Sequence, residues 1–580
     1  MNSVPLLVAD LFLQTGITHV FVYPGGSTTP IINALYEHRN KIRVVLTRNE
    51  QTASCMANMF GRLTGKPGVL ICQGPYAIST ALFGINESAL GSAPMVIITD
   101  ITDYGVFHMH GNAQSTSGEY GSLDARAVLK TVCKYVAAPA ALNDTVEAVH
   151  QAIRHATIGR PGPCAVILRS SNLSNEADPD FLPRLFPANR FNTSEPSVAS
   201  KETIYKALQM IKDAKHPIIF AGNGINAAKA YKELDQVAQL LYSPVVTSSM
   251  GKGVFDEEDP LSLGVAGSFG HPLANNTICE SDLVLVVGCR LKPADTCFEN
   301  PRFLDPGRQK LIHIDIEPRN INWVFPADVG IGGDARIILS QLAGELKDKA
   351  FSASWRKKWI KEINDRKREN HIDSALFMKA VSPIHPKWLV GQIRKNIPKD
   401  TIVATDGGNN RFWMLRYFPA KPSCYYSPGG TLSVSFGIPA ALTAKLLFPD
   451  RPVLAVSGDG GFSMQIHSLS TAVQYDLPVV FVVMNDSQLG MVRENQGDRP
   501  IGSEFIDTNY AAIAEAFGCK GEQIEDPKKF VPALKRAFDS KKPYVLDVVI
   551  SKEEKIYKQL FSPLARESFL RMTSRKYYYR

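Results

Sequence analysis

Val453-Leu454-Ala455-Val456-Ser457-Gly458-Asp459-Gly460-Gly461 and, further on, Val479-Val480-Phe481-Val482-Val483-Met484-Asn485-Asp486 together spell a β-α-β unit. Each begins with an apolar run of strand length and ends in a polar cluster. Between them Phe462, Ile466, Leu469 and Val473 recur at helical spacing. Both polar clusters then fall at the carboxyl ends of parallel strands, where open α/β sheets hold their ligands. Asp459 and Asp486 offer hard anionic oxygens suited to magnesium or calcium. Gly458, Gly460 and Gly461 admit close approach of a phosphate. A helix beginning near Phe462 supplies free N–H groups and a positive dipole end. Gly-Asp-Gly alone is a common turn; its pairing with Asp486 across one β-α-β unit is what carries the reading. No Gly-x-x-x-x-Gly-Lys-Ser/Thr loop is present, which disfavours an ATPase.

The same alternation extends in both directions. Towards the C-terminus, Tyr544–Val549 is a further strand, and Ile402–Ala404 precedes the motif. Upstream, Pro217–Phe220, Pro244–Thr247, Leu283–Val287 and Leu311–Ile316 form a second set. Val20–Tyr23, Val44–Leu46, Val69–Cys72, Met95–Thr99 and Ala165–Leu168 form a first. Short apolar strands separated by helices imply parallel sheets covered on both faces. The fold class is therefore α/β, with three doubly wound parallel-sheet domains over residues 1–175, 195–345 and 372–550, and a tail over 551–580. Polar stretches at Ser170–Ser200 and Phe351–His371 mark the boundaries, and an amphipathic run from Trp355 spans the second. Near the N-terminus Val8, Leu11 and Phe12 share one side of a short helix.

Composition sets the outer limits. With 580 residues, 44% apolar and 21% charged, the chain has material for a large core. The net charge of +8 is modest for this length and concentrates in two places. One is Arg356, Lys357, Lys358, Lys361, Arg366, Lys367 and Arg368, read as a solvated helix face. The other is the tail, with Arg566, Arg571, Arg575, Lys576 and Arg580. No nucleic-acid motif accompanies either run, so no nucleic-acid partner is expected. Nine scattered cysteines without a Cys-x-x-Cys pair argue against a disulfide framework or zinc site and for a reducing, cytoplasmic setting. No membrane span and no signal peptide are expected.

Gly458-Asp459-Gly460 through Asn485-Asp486 resembles the diphosphate motif of thiamine-diphosphate enzymes, and the resemblance covers most of the chain. It is nearest to acetolactate synthase catalytic subunits. Tyr23-Pro24-Gly25-Gly26-Ser27 is similar to their early glycine turn, and Arg48-Asn49-Glu50-Gln51-Thr52-Ala53 to their Arg-His-Glu-Gln segment. The resemblance implies pyrimidine-binding, central and diphosphate-binding domains. It implies thiamine diphosphate held through Mg2+ by Asp459, Asp486 (asparagine in most relatives) and the Gln488 carbonyl. Glu50 is then the acid that hydrogen-bonds the aminopyrimidine ring and activates the cofactor. Pro24, Gly25 and Gly26, Asn409 and Asn410 beside Gly408, and Leu489, Gly490 and Met491 fall in cofactor-binding segments. Val434 stands where acetolactate synthases carry a methionine that buttresses the cofactor. The family builds its site between subunits, so a homodimer or homotetramer is implied.

The substrate is less constrained. Gly111–Leu123 lacks the family's Phe-Gln-Glu segment, and Asn495 replaces the tryptophan that shapes the acceptor pocket. His108, His110 and Gln114 are further candidates for touching substrate, histidine being suited to acid–base work near neutral pH. In the central domain Gly288-Cys289-Arg290-Leu291-Lys292 stands in place of the flavin-type arginine-rich stretch. Gly222-Asn223-Gly224, Asp315 and Glu317 are nucleotide-like turns, leaving FAD, ADP of a coenzyme A carrier, or nothing there. The expected activity is decarboxylation of a 2-oxo acid such as pyruvate, with ligation to a second carbonyl. The alternatives are a lyase on a 2-hydroxyacyl-CoA, a simple decarboxylase, or a catalytically silent scaffold. The segment Phe561–Arg580 is either disordered or a lid.

Overall fold

A computed structural model describes residues 3–102, 113–173, 176, 190, 198–348, 354–369 and 374–574. It contains three six-stranded sheets, each wholly parallel. The first runs β2-β1-β3-β4-β6-β5, from β1 (His19–Val22), β2 (Arg43–Leu46), β3 (Gly68–Ile71), β4 (Met95–Ile101), β5 (Tyr135–Ala137) and β6 (Pro163–Arg169). The second runs β12-β11-β10-β7-β8-β9, from β7 (Pro217–Ala221), β8 (Val245–Thr247), β9 (Ser262–Val265), β10 (Leu283–Val287), β11 (Lys310–Asp315) and β12 (Val329–Gly332). The third runs β14-β13-β15-β16-β18-β17, from β13 (Ile402–Thr405), β14 (Tyr425–Tyr426), β15 (Val453–Gly458), β16 (Val480–Asn485), β17 (Lys520–Ile524) and β18 (Tyr544–Val549). The first and third sheets share one strand order, with the reversal of direction between β1 and β3 and between β13 and β15. That reversal opens a crevice at the carboxyl ends of the flanking strands.

By compactness the chain forms two units. One comprises Met1–Glu195, Pro428–Pro449 and Gln465–Leu477; the other comprises Pro196–Ser427, Asp450–Met464 and Pro478–Arg580. In the first unit, β1, β3, β4 and β6 contribute Val20, Val69, Val96 and Val166 to a core completed by Val8, Leu11 and Phe12 of the helix Val4–Gln14. The helix Glu50–Thr64 is buried on nearly every face, because the helix Gly437–Leu447 also packs against it. Thr443 Oγ1 reaches the Met56 carbonyl at 3.4 Å. In the second unit, one face of the central sheet packs on the helices Lys201–Asp213, Tyr231–Leu241 and Ala335–Asp348, and a separate core lies on its other face.

Several sequence expectations change. The apolar series from Phe462 to Val473 is two helices, Asp459–Gln465 and Ser468–Gln474, and the first starts at Asp459 itself. Arg356 is not on a solvated face. It is 1% exposed, and its guanidinium donates to the carbonyls of Leu241 at 2.9 Å, Ile211 at 2.6 Å and Ala214 at 2.9 Å. It thus caps the ends of two helices whose last carbonyls lack intrahelical partners. The helix Lys357–Glu369 buries Trp359 and Ile363 in the central domain's second core. The described part of the C-terminal stretch is helical over Tyr557–Leu560 and Pro563–Ser574, and Leu564 and Ala565 join that same core. Arg575, Lys576, Arg580 and the tyrosines Tyr577-Tyr578-Tyr579 lie outside the described residues.

Candidate active site

In the first unit the chemistry-bearing residues gather at the carboxyl ends of β1, β2 and β3. Pro24-Gly25-Gly26 follows β1. Gly26 has a φ of +47°, and a Cβ there would lie 2.2 Å from Gln73 Nε2, so only glycine lets the turn press on Gln73. Gln73, just past β3, donates from Nε2 to Gln114 Oε1 at 3.1 Å. Glu50 opens the helix after β2: Asn49 caps it by accepting from the Thr52 N–H at 2.8 Å. Glu50 is 6% exposed and accepts a hydrogen bond from Thr80 Oγ1 at 3.0 Å. Burial, with the Glu50 and Asp100 carboxylates adding to it, pushes the neighbouring Cys72 thiol well above its usual range. Asp100 is itself raised by burial, against the hydrogen bond it accepts from the Gly74 N–H at 2.7 Å.

The loop carrying Val434 belongs to the same unit. Its first residues donate to the buried Glu87, and Leu432 and Ser435 on either side of Val434 adopt φ of 55° and 79°. Non-glycine residues with such values are held there by their surroundings. Gln51, next to Glu50, donates to Ser435 Oγ at 3.1 Å.

In the second unit, β13 and β15 flank the point where the third sheet reverses. Asn409 and Asn410 open the helix Asn409–Tyr417, and Asp459 opens the helix after β15. Asp486 ends the run from β16, followed by Ser487 at φ 51°. Gln488 bridges the two acids: its backbone N–H donates to Asp459 Oδ2 at 3.2 Å and its Nε2 to Asp486 Oδ2 at 2.9 Å. Leu489 N–H to Ser503 O at 2.7 Å and Phe505 N–H to Ser487 O at 2.8 Å fix this loop in register. Burial and then the charge of Asp486 push the Asp459 carboxyl up to about 7. Burial pushes Asp486 up to about 6 against the hydrogen bond from Gln488. A cation placed between two acids so displaced would favour their ionised forms.

Unpartnered oxygens lie on the neighbouring helix Asn409–Tyr417. Asn409 donates to Glu494 Oε1 at 2.7 Å and Asn410 to the Gly407 carbonyl at 2.7 Å, and each leaves a buried Oδ1 without a partner. Among the described residues no cluster of three or more His, Cys, Asp or Glu occurs. The donor set is therefore two carboxylates plus neutral oxygens, which suits a hard ion that keeps water and phosphate ligands. Backbone N–H groups in the first turn of the helix Asn409–Tyr417 can meet an anion.

Other sequence candidates fall as follows. Asn495 is exposed and donates to the Met491 carbonyl at 2.9 Å on its own helix. His108 and His110 lie outside the described residues. Sequence reading missed Gln73, Thr80, Glu87 and Glu494, because a lone polar residue on an ordinary helix or turn carries no pattern.

Comparisons with known proteins agree with this arrangement. Residues 4–117 match the thiamine pyrophosphate enzyme N-terminal TPP binding domain, 204–342 the central domain and 406–548 the C-terminal TPP binding domain. The chain belongs to the thiamine pyrophosphate enzyme family. Within it, the chain is similar to a probable acetolactate synthase large subunit of Methanocaldococcus jannaschii, 31% identical over 93% of this chain and 90% of that one. The acetolactate synthase large subunit of Haemophilus influenzae is 32% identical over 95% of each chain. The mitochondrial acetolactate synthase catalytic subunit of Saccharomyces cerevisiae is 28% identical over 94% of this chain and 80% of that one. Among the described residues no helix is long and apolar enough to cross a membrane.

Proposed function

We propose that the chain decarboxylates a 2-oxo acid such as pyruvate and joins the product to a second carbonyl, in the manner of an acetolactate synthase. The observation that carries this is the pair Asp459, buried, and Asp486, partly buried, bridged by Gln488 at a sheet's switch point. Asp459, Asp486 and the Gln488 carbonyl hold Mg2+, with Asn409 and Asn410 presenting oxygens beside it. Pro24, Gly25, Gly26, Gly458, Gly460, Gly461, Leu489, Gly490 and Met491 line the cofactor, and Val434 supports it. Thiamine diphosphate supplies a carbanion equivalent for attack on a carbonyl. Glu50 would hydrogen-bond the aminopyrimidine ring, and Thr80 orients its carboxyl by donating to Oε2 at 3.0 Å. The three-domain division and a cytoplasmic setting belong to the same reading.

A homo-oligomer with a shared site follows from the same reading. Leu489 (37% exposed), Val492 (41%), Phe505 (41%), Ile501 (82%) and Ile506 (86%) expose apolar surface around the Asp486 loop. A second copy covers such a surface economically. In the central domain the turn Gly222-Asn223-Gly224 faces the Gly288 turn. A Cβ at Gly222 would lie 2.2 Å from the Gly288 carbonyl oxygen, so these glycines are explained by the two turns packing on one another. Asp315 accepts from the Glu317 N–H at 2.9 Å, and Glu317 pairs with Arg319 at 2.8 Å.

A second reading, a lyase acting on a 2-hydroxyacyl-CoA, is favoured by Asn495 in place of a pocket-filling tryptophan. Turnover of pyruvate with thiamine diphosphate and Mg2+, followed by mass spectrometry, separates the two. Acetolactate that vanishes when the cofactor is omitted supports the first reading. Unchanged pyruvate together with cleavage of an acyl-CoA ester supports the second.

A further inference from the structure

Glu494 lies on the helix Gly490–Gln496, close behind the Asp486 loop, and is 6% exposed. Its Oε1 accepts hydrogen bonds from Asn409 Nδ2 at 2.7 Å and from the backbone N–H groups of Ile556 at 3.1 Å and Tyr557 at 3.4 Å. Its Oε2 accepts from the Lys558 N–H at 3.3 Å. Two separate requirements converge on this one side chain.

The first concerns Asn409. Glu494 Oε1 accepts from Asn409 Nδ2 at 2.7 Å, which turns the nitrogen of the carboxamide toward Glu494. What remains is Oδ1, buried and without a partner. A Cβ at Gly490 would lie 2.9 Å from Asn409 Nδ2 and 3.1 Å from Asp486 Oδ2, so this amide and a metal-motif acid flank the same glycine. An asparagine with no such partner is free to flip and offer a donor in place of the oxygen.

The second concerns the C-terminal segment. The short helix Tyr557–Leu560 is preceded by Ile556, which has no side-chain acceptor for the first-turn N–H groups. Glu494 supplies that acceptor from another helix. Aromatic packing continues the connection: Phe412, on the helix that Asn409 opens, lies 5.5 Å from Tyr557, and Phe269 contacts both Phe412 and Phe561.

We propose that Glu494 is a positioning residue that sets the orientation of Asn409 in the metal–diphosphate site and seats the C-terminal segment beside it. This rests on the thiamine-diphosphate reading of the Asp459 and Asp486 motif. The two roles predict different outcomes in a double-mutant cycle. Thiamine diphosphate is titrated calorimetrically into the full-length chain with Mg2+ present, using wild type, Glu494→Ala, Asn409→Ala and the double variant. Glu494→Ala weakens cofactor binding about tenfold in the wild-type background. In the Asn409→Ala background the same change costs less than about twofold, because the residue it orients is gone. The thermal midpoint without cofactor falls in both backgrounds, since the contacts of Glu494 to Ile556, Tyr557 and Lys558 do not involve Asn409. Glu494→Gln, which keeps one acceptor oxygen, gives an intermediate loss and replaces the alanine variant in the cycle if that variant does not fold. Wild-type affinity in both Glu494 variants, or losses that multiply fully in the double variant, overturns the proposal. A wild-type chain that binds no thiamine diphosphate overturns the underlying reading instead, and this inference with it.

Discussion

Glu87 Oε2 accepts two hydrogen bonds from Thr431, one from its N–H and one from its hydroxyl, each 3.0 Å long. The same oxygen takes Ser433 Oγ at 3.1 Å, while Oε1 takes the N–H groups of Gly429 at 2.8 Å and Gly430 at 2.9 Å. A single carboxylate, 1% exposed, therefore ties down the loop that presents Val434. Glu87→Ala leaves these donors without their common acceptor and should lower stability by about 3 kcal/mol. Chemical denaturation checks this. A loss within about 0.5 kcal/mol, the range of ordinary surface changes, would show that water replaces the carboxylate.

Glu50 faces its own test. Glu50→Gln keeps the shape and the hydrogen bond from Thr80 but cannot exchange a proton. Turnover should fall at least about a hundredfold, with an unchanged thermal midpoint. Thr80→Val, which removes the donor at 3.0 Å, should cost only about threefold to tenfold in turnover. Full activity in Glu50→Gln with normal folding would remove this residue from the mechanism.

The acid pair Asp459 and Asp486 makes metal-free stability depend on pH. Native values of about 7 for Asp459 and about 6 for Asp486 lie above the unfolded carboxylate value of 3.8. The folded chain thus binds these protons more tightly than the unfolded chain does. Their contribution is most favourable below the unfolded value and is lost as pH rises through the native values. Between pH 4 and 8, metal-free protein should become less stable through this pair, and Mg2+ should restore more stability at pH 8 than at pH 5. Asp486→Asn should raise metal-free stability at pH 8 by about 1–2 kcal/mol and flatten the pH dependence of the Mg2+ effect. Thermal melts with and without Mg2+ across this range decide it. A Mg2+ effect that is flat with pH would count against the pair as ligands.

Arg356 should be far more costly to remove than its basic neighbours. It donates to three buried helix-end carbonyls, and burial holds its guanidinium down to about 10. Arg356→Ala should lose about 3 kcal/mol, whereas Lys358→Ala should stay within about 0.5 kcal/mol. Equal effects in urea denaturation would contradict the capping role.

What was legible in the sequence follows a physical rule. The interior strands of all three sheets, such as β10, β15 and β16, are buried on both faces and so read as unbroken apolar runs. The strands that sequence reading missed are β5, β9, β12, β14 and β17, and every one lies at an edge of its sheet. An edge strand has one neighbour and needs no continuous apolar run: β17 is Lys-Gly-Glu-Gln-Ile and β12 alternates buried and exposed residues.

The sequence by itself determined the α/β class and the position of Asp459 and Asp486 at strand ends. Both are local properties, set by residue type and periodicity. Tertiary structure alone decided which distant groups meet. It turned Arg356 from a presumed surface charge into a buried cap. It gave Glu87 to a loop more than three hundred residues away, 342 positions from Gly429. It also brought Asn409, Glu494 and the C-terminal segment onto one carboxylate. A buried polar side chain is tolerated only with partners, and chain topology, not the neighbouring sequence, selects those partners.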